Sequence, residues 1–277
     1  MVEETALGTG GGIRNVYDKL RNDTVMVFNG DVLSGMDLEG ILTTHHDKDA
    51  DVTMHLLNVA DPRAFGCVPT DSNGRVTAFL EKTEDPPTNQ INAGCYVFKR
   101  SVIESIPADR VVSVERETFP GLLAEGRLVV GHVDNSYWRD MGRPDDFTRG
   151  SSDLVRGIAP SPLIEGKTGE SLVDPSAGIA GGVLLLSGTA VGRGSEVGAG
   201  SRLEGTVVFD GVRIEPGAII HNSIIASGAH IGANAVIENC VIGEGAHIGA
   251  RCELLDGMRV FPGVSIPDAG VRFSSDA

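Results

Sequence analysis

Toward the C-terminus the chain falls into a repeat that few folds can accommodate. Aliphatic residues recur at Val191, Val197, Leu203, Val208, Ile214, Ile220, Ile225, Ile231, Ile237, Ile242, Ile248, Leu254, Val260 and Ile266. The steps are of six residues with occasional fives, and the fives recur so that positions 191, 208, 225 and 242 stand 17 apart. Self-similarity at so short a fixed period marks a solenoid. Three steps make one triangular coil with the aliphatic side chains pointing inward and small residues at the corners. A single coil cannot bury its own interior, so neighbouring coils must stack. Glycine often follows the aliphatic position, as at Gly192, Gly198, Gly232, Gly243 and Gly249.

This pattern resembles the hexapeptide-repeat proteins, and the resemblance implies a left-handed parallel β-helix over residues 183–277. Composition agrees with thin β layers and tight turns: there are 37 glycines, 5% aromatic residues and a single tryptophan, Trp138.

Residues 1–156 have another rhythm. Thr24–Asn29 is a short continuous apolar run, the mark of a strand buried on both faces. Asp37 is placed to cap a helix reaching His46, and Asp51–Val59 returns as a strand. Cys67–Thr70 and Arg75–Leu80 flank Asn73-Gly74, a strong hairpin signal. Ala93–Phe98 and Arg127–Val133 read as strands and Val114–Ala124 as a helix. Pro144–Val155 reads as a closing helix with proline at its start. The fold class is therefore α/β with an antiparallel insertion, and residues 157–182, rich in Gly, Pro and Ser, read as a linker.

A net charge of −15, from 23 basic and 38 acidic residues, argues against nucleic acid as a partner. A phosphorylated substrate requires a cation to bridge like charges. No apolar run is long enough for a membrane span, and the N-terminus lacks the basic and apolar regions of a secretory signal. Cys67, Cys95, Cys240 and Cys252 form no C-x-x-C pair and lie in apolar runs, which suits reduced core thiols in the cytoplasm.

Chemistry-bearing residues sit at strand ends. Asn29-Gly30-Asp31 closes a buried strand, where open α/β sheets bind ligands, and a carboxylate there suits a hard cation such as Mg²⁺. Tyr137-Trp138-Arg139-Asp140-Met141-Gly142 places a second aspartate before a helix. Phe79-Leu80-Glu81-Lys82 offers a point charge for phosphate beside an acceptor for hydroxyl protons. In Ile91-Asn92-Ala93-Gly94 the asparagine can donate and accept, and Phe65-Gly66 presents bare backbone. Leu7-Gly8-Thr9-Gly10-Gly11-Gly12 is expected as a turn leading into a helix from Ile13 to Leu20, its N–H groups open to a base or phosphate.

Taken in order, LGTGGG, FNGD, FG, FLEK, INAG and WRDMG resemble the sugar-1-phosphate nucleotidyltransferase family over residues 1 to about 155. With the β-helix added, the chain is similar to bacterial and eukaryotic GDP-mannose pyrophosphorylases (mannose-1-phosphate guanylyltransferases), especially actinobacterial ones. The resemblance implies an incomplete Rossmann-like, GT-A-like domain and transfer of a nucleotidyl group from GTP to mannose 1-phosphate, with pyrophosphate released. It further implies Mg²⁺ bound by Asp31 and Asp140, and Lys82 on the sugar phosphate. Glu81, Asn92 and Gly66 would line the sugar pocket, with Gly8 and Thr9 near the base. A homo-oligomer joined through the β-helix is also expected.

The family's opening strand and its G-G-x-G-T-R-L loop have no match in this sequence, and Met1 corresponds to a position roughly 80–90 residues along the family chain. A gene start set too far downstream and a short non-catalytic partner of a full-length enzyme both account for this. Residues 1–277 alone are expected to lack turnover. Two rival readings are a regulatory subunit that senses nucleotide-sugar, and an acyltransferase using His221, His230 or His247, each expected at a turn-like position.

Overall fold

The computed structural model describes residues 3–80, 84–164 and 166–272. Two compact units divide the chain, one ending at Trp138 and the other starting at Arg139.

The first unit is α/β. Its strands are β1 (Thr24–Phe28), a short β2 (Val32–Ser34), β3 (Val52–Asn58), β4 (Gln90–Lys99) and β5 (Val129–Val133). Four of them form a sheet in the order β1-β4-β3-β5. β4 is antiparallel to both neighbours, whereas β3 and β5 run parallel.

Central β3 is buried along all but its last residue. Val52, Met54 and Leu56 enter the main core, and the alternate residues Thr53 and His55 are buried too. Burial demands partners for such groups, and both side chains have one, although His55 Nδ1 has none among the described residues. Thr53 Oγ1 meets His45 Nδ1 at 2.9 Å, and His55 Nε2 lies 3.1 Å from the Asp134 carbonyl. Tyr96 and Phe98 on β4 gather with Phe79 around Phe119, at ring-centroid distances of 5.0, 6.0 and 5.3 Å. Phe98 and Phe119 are fully buried, and each such ring contributes about 1.5–3 kcal/mol.

Helices α1 (Gly8–Asn15), α2 (Leu38–Asp47), α3 (Arg100–Ser105) and α4 (Phe119–Ala124) complete the unit. Asp37 caps α2 as expected, its side chain accepting from the Glu39 amide at 3.0 Å. The Asn73-Gly74 hairpin also forms, with Cys67 opposite Leu80 and Thr70 opposite Val76. The helix expected over Val114–Ala124 is split instead into a π turn at Val114–Thr118 followed by α4. Pro120 supplies the reason, since it has no N–H to continue an α ladder.

In the second unit, α5 (Pro144–Val155) has the expected bounds and packs on the solenoid. Phe147 stacks on Phe209 at 6.4 Å, and Ser152 Oγ donates to the Ser187 carbonyl at 2.6 Å. Parallel strands then run from Ser171 to Ile266 on three faces, two of six strands and one of five, giving about six coils. The first coil uses Ser171–Val173 and Gly178–Ile179, so it begins inside the segment read as a linker.

The aliphatic columns hold their register through the stack. Val173, Val191, Val208, Ile225, Ile242 and Val260 pair in succession on one face. Ile179, Val197, Ile214, Ile231, Ile248 and Ile266 do so on the next. Buried Ser195, Ser201, Thr189 and Thr206 occupy corners of the early coils and donate to carbonyls 14 residues on. Ala229, Ala235, Ala246 and Cys252 fill buried positions of the later coils. A Cβ on Gly232 would stand 2.4 Å from the Ala250 nitrogen of the next coil. Close backbone approach therefore explains the glycine that follows the aliphatic position. All four cysteines are buried free thiols, and burial pushes Cys95 up to about 12. Among the described residues, no helix is long and apolar enough to cross a membrane.

Candidate functional site

At the β1 edge of the first unit lies an open groove of about 770 Å³, within the range of small-molecule sites. Its floor is apolar: Ile13, Val16 and Leu20 from the α1 side, Val25 and Val27 from β1, and Tyr96 from β4. Polar groups gather at Gly8, Thr9, Asn29, Gly30 and Asp31. Two sequence-predicted motifs, LGTGGG at 7–12 and FNGD at 28–31, therefore share one cavity wall. Among the described lining residues none is cationic, so phosphates bound here need positive charge from another source.

The glycine-rich motif does not act as the expected turn. Thr9–Gly12 lie inside α1 itself, which ends at Asn15, and a 3₁₀ turn at Tyr17–Lys19 follows. The Gly10 and Gly11 amides donate to the Val112 carbonyl at 2.9 and 3.3 Å, so they are not open to a phosphate. A Cβ on Gly8 would stand 2.6 Å from Val112 oxygen, and one on Gly11 would stand 2.8 Å from Arg110 oxygen. These glycines let the helix approach the backbone of residues 110–112. Thr9 is fixed as well: its Oγ1 donates to Glu115 Oε2 at 3.0 Å and accepts from the Val114 amide at 2.9 Å.

Asn29 is tied to Gly94, whose carbonyl accepts its amide at 2.7 Å. Among the described residues, its chain neighbours aside, no atom lies within 4 Å of where a Cβ on Gly30 would stand. Asp31 is exposed and has no hydrogen bond or ion pair among the described residues.

Asn92 is engaged by its own strand. Its Nδ2 donates to Tyr96 Oη at 2.7 Å and its Oδ1 accepts from the Gly94 amide at 3.1 Å. One N–H and one lone pair remain for a ligand. Burial holds the Tyr96 hydroxyl well above the usual phenol range, so it remains a neutral partner for Asn92. The FG, INAG and WRDMG motifs meet at their apolar ends. Trp138 Nε1 donates to the Ala93 carbonyl at 2.9 Å, and its ring meets Phe65 edge-on at 5.9 Å. Gly66 is exposed beside this cluster, where a Cβ would stand 3.1 Å from the Leu80 carbonyl oxygen.

Asp140 ends the three-residue strand Trp138–Asp140 and lies just inside the second unit, whereas Asp31 belongs to the first. Its carboxylate is likewise exposed and unpaired among the described residues. Neighbouring Arg139 turns instead to Asp146 and Asp153 on α5, at 3.4 and 3.2 Å. Glu81 and Lys82 fall outside the described residues.

Sequence reasoning missed Asp134 and Tyr96. Burial alone would raise the Asp134 carboxyl, yet hydrogen bonds from the Ser136 hydroxyl and the Asp37 and Ser136 amides hold it below the usual range. It braces the segment leading to Trp138 against the α2 N-terminus. No local sequence signal marks it, because its partner Asp37 is 97 residues away. The three histidines expected in turns instead lie on outward-facing strand positions, in Ile219–His221, His230–Ile231 and His247–Ile248.

Residues 1–157 match the family model for nucleotidyl transferase, and residues 167–270 match that for the GMPPB C-terminal domain. A mannose-1-phosphate guanylyltransferase of Mycobacterium tuberculosis is 65% identical over 277 residues, which is 100% of this chain and 77% of that protein. Mannose-1-phosphate guanylyltransferase 1 of Arabidopsis thaliana is 35% identical over 73% of this chain and 58% of its own length. A putative mannose-1-phosphate guanyltransferase of Sulfolobus acidocaldarius is 29% identical over 71% of this chain and 53% of its own. The chain thus spans little more than half of the latter two relatives.

Proposed function

Because the chain belongs to the nucleotidyl transferase family, we propose that it serves guanylyl transfer from GTP to mannose 1-phosphate, yielding GDP-mannose and pyrophosphate. The observation that carries the reading is the groove beside β1, where the glycine-rich helix and Asn29-Gly30-Asp31 border one apolar cavity. The base lies against Gly8 and Thr9, and the sugar lies toward Gly66 and the free N–H of Asn92.

Mg²⁺ is the cation this reading requires, with Asp31 and Asp140 as its protein ligands. Both are exposed carboxylates, unpaired among the described residues, and carboxylates are the donor type a hard dication takes. When bound, the ion offsets the phosphate charge that no described lining residue neutralises. Lys82 adds a point charge on the sugar phosphate, and Glu81 accepts from a sugar hydroxyl. The chain's remaining contribution is positional: it aligns the attacking sugar-phosphate oxygen with the α-phosphorus. Asp134 and Tyr96 hold the Trp138 and Asn92 segments that flank it. Assembly through the solenoid and a cytoplasmic location, where the four thiols stay reduced, belong to the same reading.

Calorimetric titration of the chain with GDP-mannose in MgCl₂ tests it. The expected result is Mg²⁺-dependent binding that weakens when guanine and mannose are both replaced, as in UDP-glucose. No binding at millimolar ligand, or equal binding of UDP-glucose, overturns it. Binding of an acyl thioester with none of GDP-mannose points to the acyltransferase alternative.

A further inference from the structure

One outward column of the solenoid carries Glu196, Arg213, His230, His247 and Ser265 on successive parallel strands. Within it His230 and His247 are direct partners, with ring centroids 4.5 Å apart and Nδ1 atoms facing each other at 2.7 Å. On the other side of the His230 ring, Nε2 lies 3.2 Å from Glu215 Oε1. From this arrangement we infer that His230 and His247 form a binding site for a borderline transition-metal dication of the Zn²⁺, Ni²⁺ or Cu²⁺ class, with Glu215 as its supporting carboxylate.

The tautomers follow from the contacts. Ionised Glu215 only accepts, so Nε2 of His230 carries the hydrogen and its Nδ1 presents a lone pair. The facing Nδ1 of His247 then supplies the single proton between the rings, leaving its own Nε2 bare and open to water. Moving that proton from Nδ1 to Nε2 of His247 keeps the ring neutral and turns a second lone pair toward the first. No proton is lost in the exchange. Two imidazole lone pairs pointing at one spot repel unless a cation lies between them.

Geometry sets the adjustment. With Zn–N bonds of about 2.0–2.1 Å at a tetrahedral centre, the two nitrogens stand about 3.4 Å apart. The rings must therefore separate by about 0.7 Å from their present 2.7 Å. Both rings lie on the outer face, His247 exposed and His230 half-buried, and neither is wedged in a core.

A carboxylate on the far nitrogen of a metal-bound histidine fixes its tautomer and raises its basicity. Glu215 stands in that place. Arg213, the register partner of His230, is held by Glu215 at 2.9 Å, so its charge is offset beside the site. Two nitrogens leave positions for water, and imidazole favours these ions over Mg²⁺ or Ca²⁺. Since the ligands come from consecutive coils, the bound ion ties one coil to the next.

Protein stripped with EDTA and dialysed is titrated with ZnCl₂ by calorimetry at pH 7.5, with melting followed in parallel. The expected result is one equivalent of Zn²⁺ bound and a rise in Tm. His230→Ala and His247→Ala each weaken binding by at least about tenfold, and Glu215→Ala does so by about tenfold. Millimolar Mg²⁺ does not compete, and acidification weakens binding as protons claim the imidazoles. Histidine ¹⁵N NMR reads the site independently, because both Nδ1 signals shift on adding Zn²⁺. Wild-type affinity retained in His247→Ala, or Zn²⁺ binding lost in Asp31→Asn instead, overturns the inference.

Discussion

Gly94 and Asn29 are locked together. The Gly94 carbonyl accepts the Asn29 amide at 2.7 Å, and a Cβ on Gly94 would stand 2.8 Å from Asn29 Nδ2. Gly94 also has a φ of +78°, in the region L-residues disfavour. Residues 65 positions apart thus fix how the chain leaves β1 toward Asp31.

Replacing Gly94 with alanine therefore strains the backbone and displaces Asn29. The expected cost is about 1–3 kcal/mol, read as a lower urea midpoint with unchanged m-value. GDP-mannose affinity should fall in the same variant, since Asn29 and Asp31 border one groove.

Asp31→Asn and Gly30→Ala separate ligand chemistry from folding. Asp31 is exposed and has no partner among the described residues, so Asn leaves stability within about 0.5 kcal/mol. It should lower Mg²⁺-dependent GDP-mannose binding by about a hundredfold, as loss of a metal's charge stabilisation implies. The Cβ added by Gly30→Ala meets no atom within 4 Å among the described residues beyond its chain neighbours. Any loss of binding there, with unchanged Tm, reports a ligand occupying that space.

His45 makes stability depend on pH. Burial, followed by the nearby cations, lowers it from 6.5 to about 4. Between these values the unfolded chain binds a proton that the folded chain refuses, so stability is full above pH 6.5 and is lost as pH falls toward 4. The amplitude is at most about 3 kcal/mol. Urea titrations across this window should show a smaller slope for His45→Gln. Some slope should persist, because burial lowers His55 in the same direction.

The solenoid should be intolerant of small additions. Gly232→Ala forces a Cβ against backbone 2.4 Å away, which costs about 1–3 kcal/mol as overpacking. Ile220→Ala removes a fully buried side chain and costs about 2–5 kcal/mol. Both are measurable by chemical denaturation, and a wild-type midpoint for Gly232→Ala would contradict the coil stacking described.

Much of the architecture was readable in advance because it is local. The step of six residues specifies which side chains enter the prism, and every aliphatic column formed as the spacing required. Asp37, Asn73-Gly74 and the bounds of α5 were equally legible, since caps, hairpin turns and first-turn prolines act within a few residues. The α3 helix left no clear signal, because its six residues are too few to show a period.

What the chain order alone determined was thus the period, the element types and the identity of the residues at strand ends. Only the tertiary structure decided which of these meet. It turned Gly10 and Gly11 toward the Val112 carbonyl rather than toward a ligand, spent part of Asn92 on Tyr96 and Gly94, and set His230 against His247. Periodicity is a property of neighbouring residues, fixed by the geometry of one chain segment. Contacts between segments depend on how whole layers pack, and no local spacing encodes them.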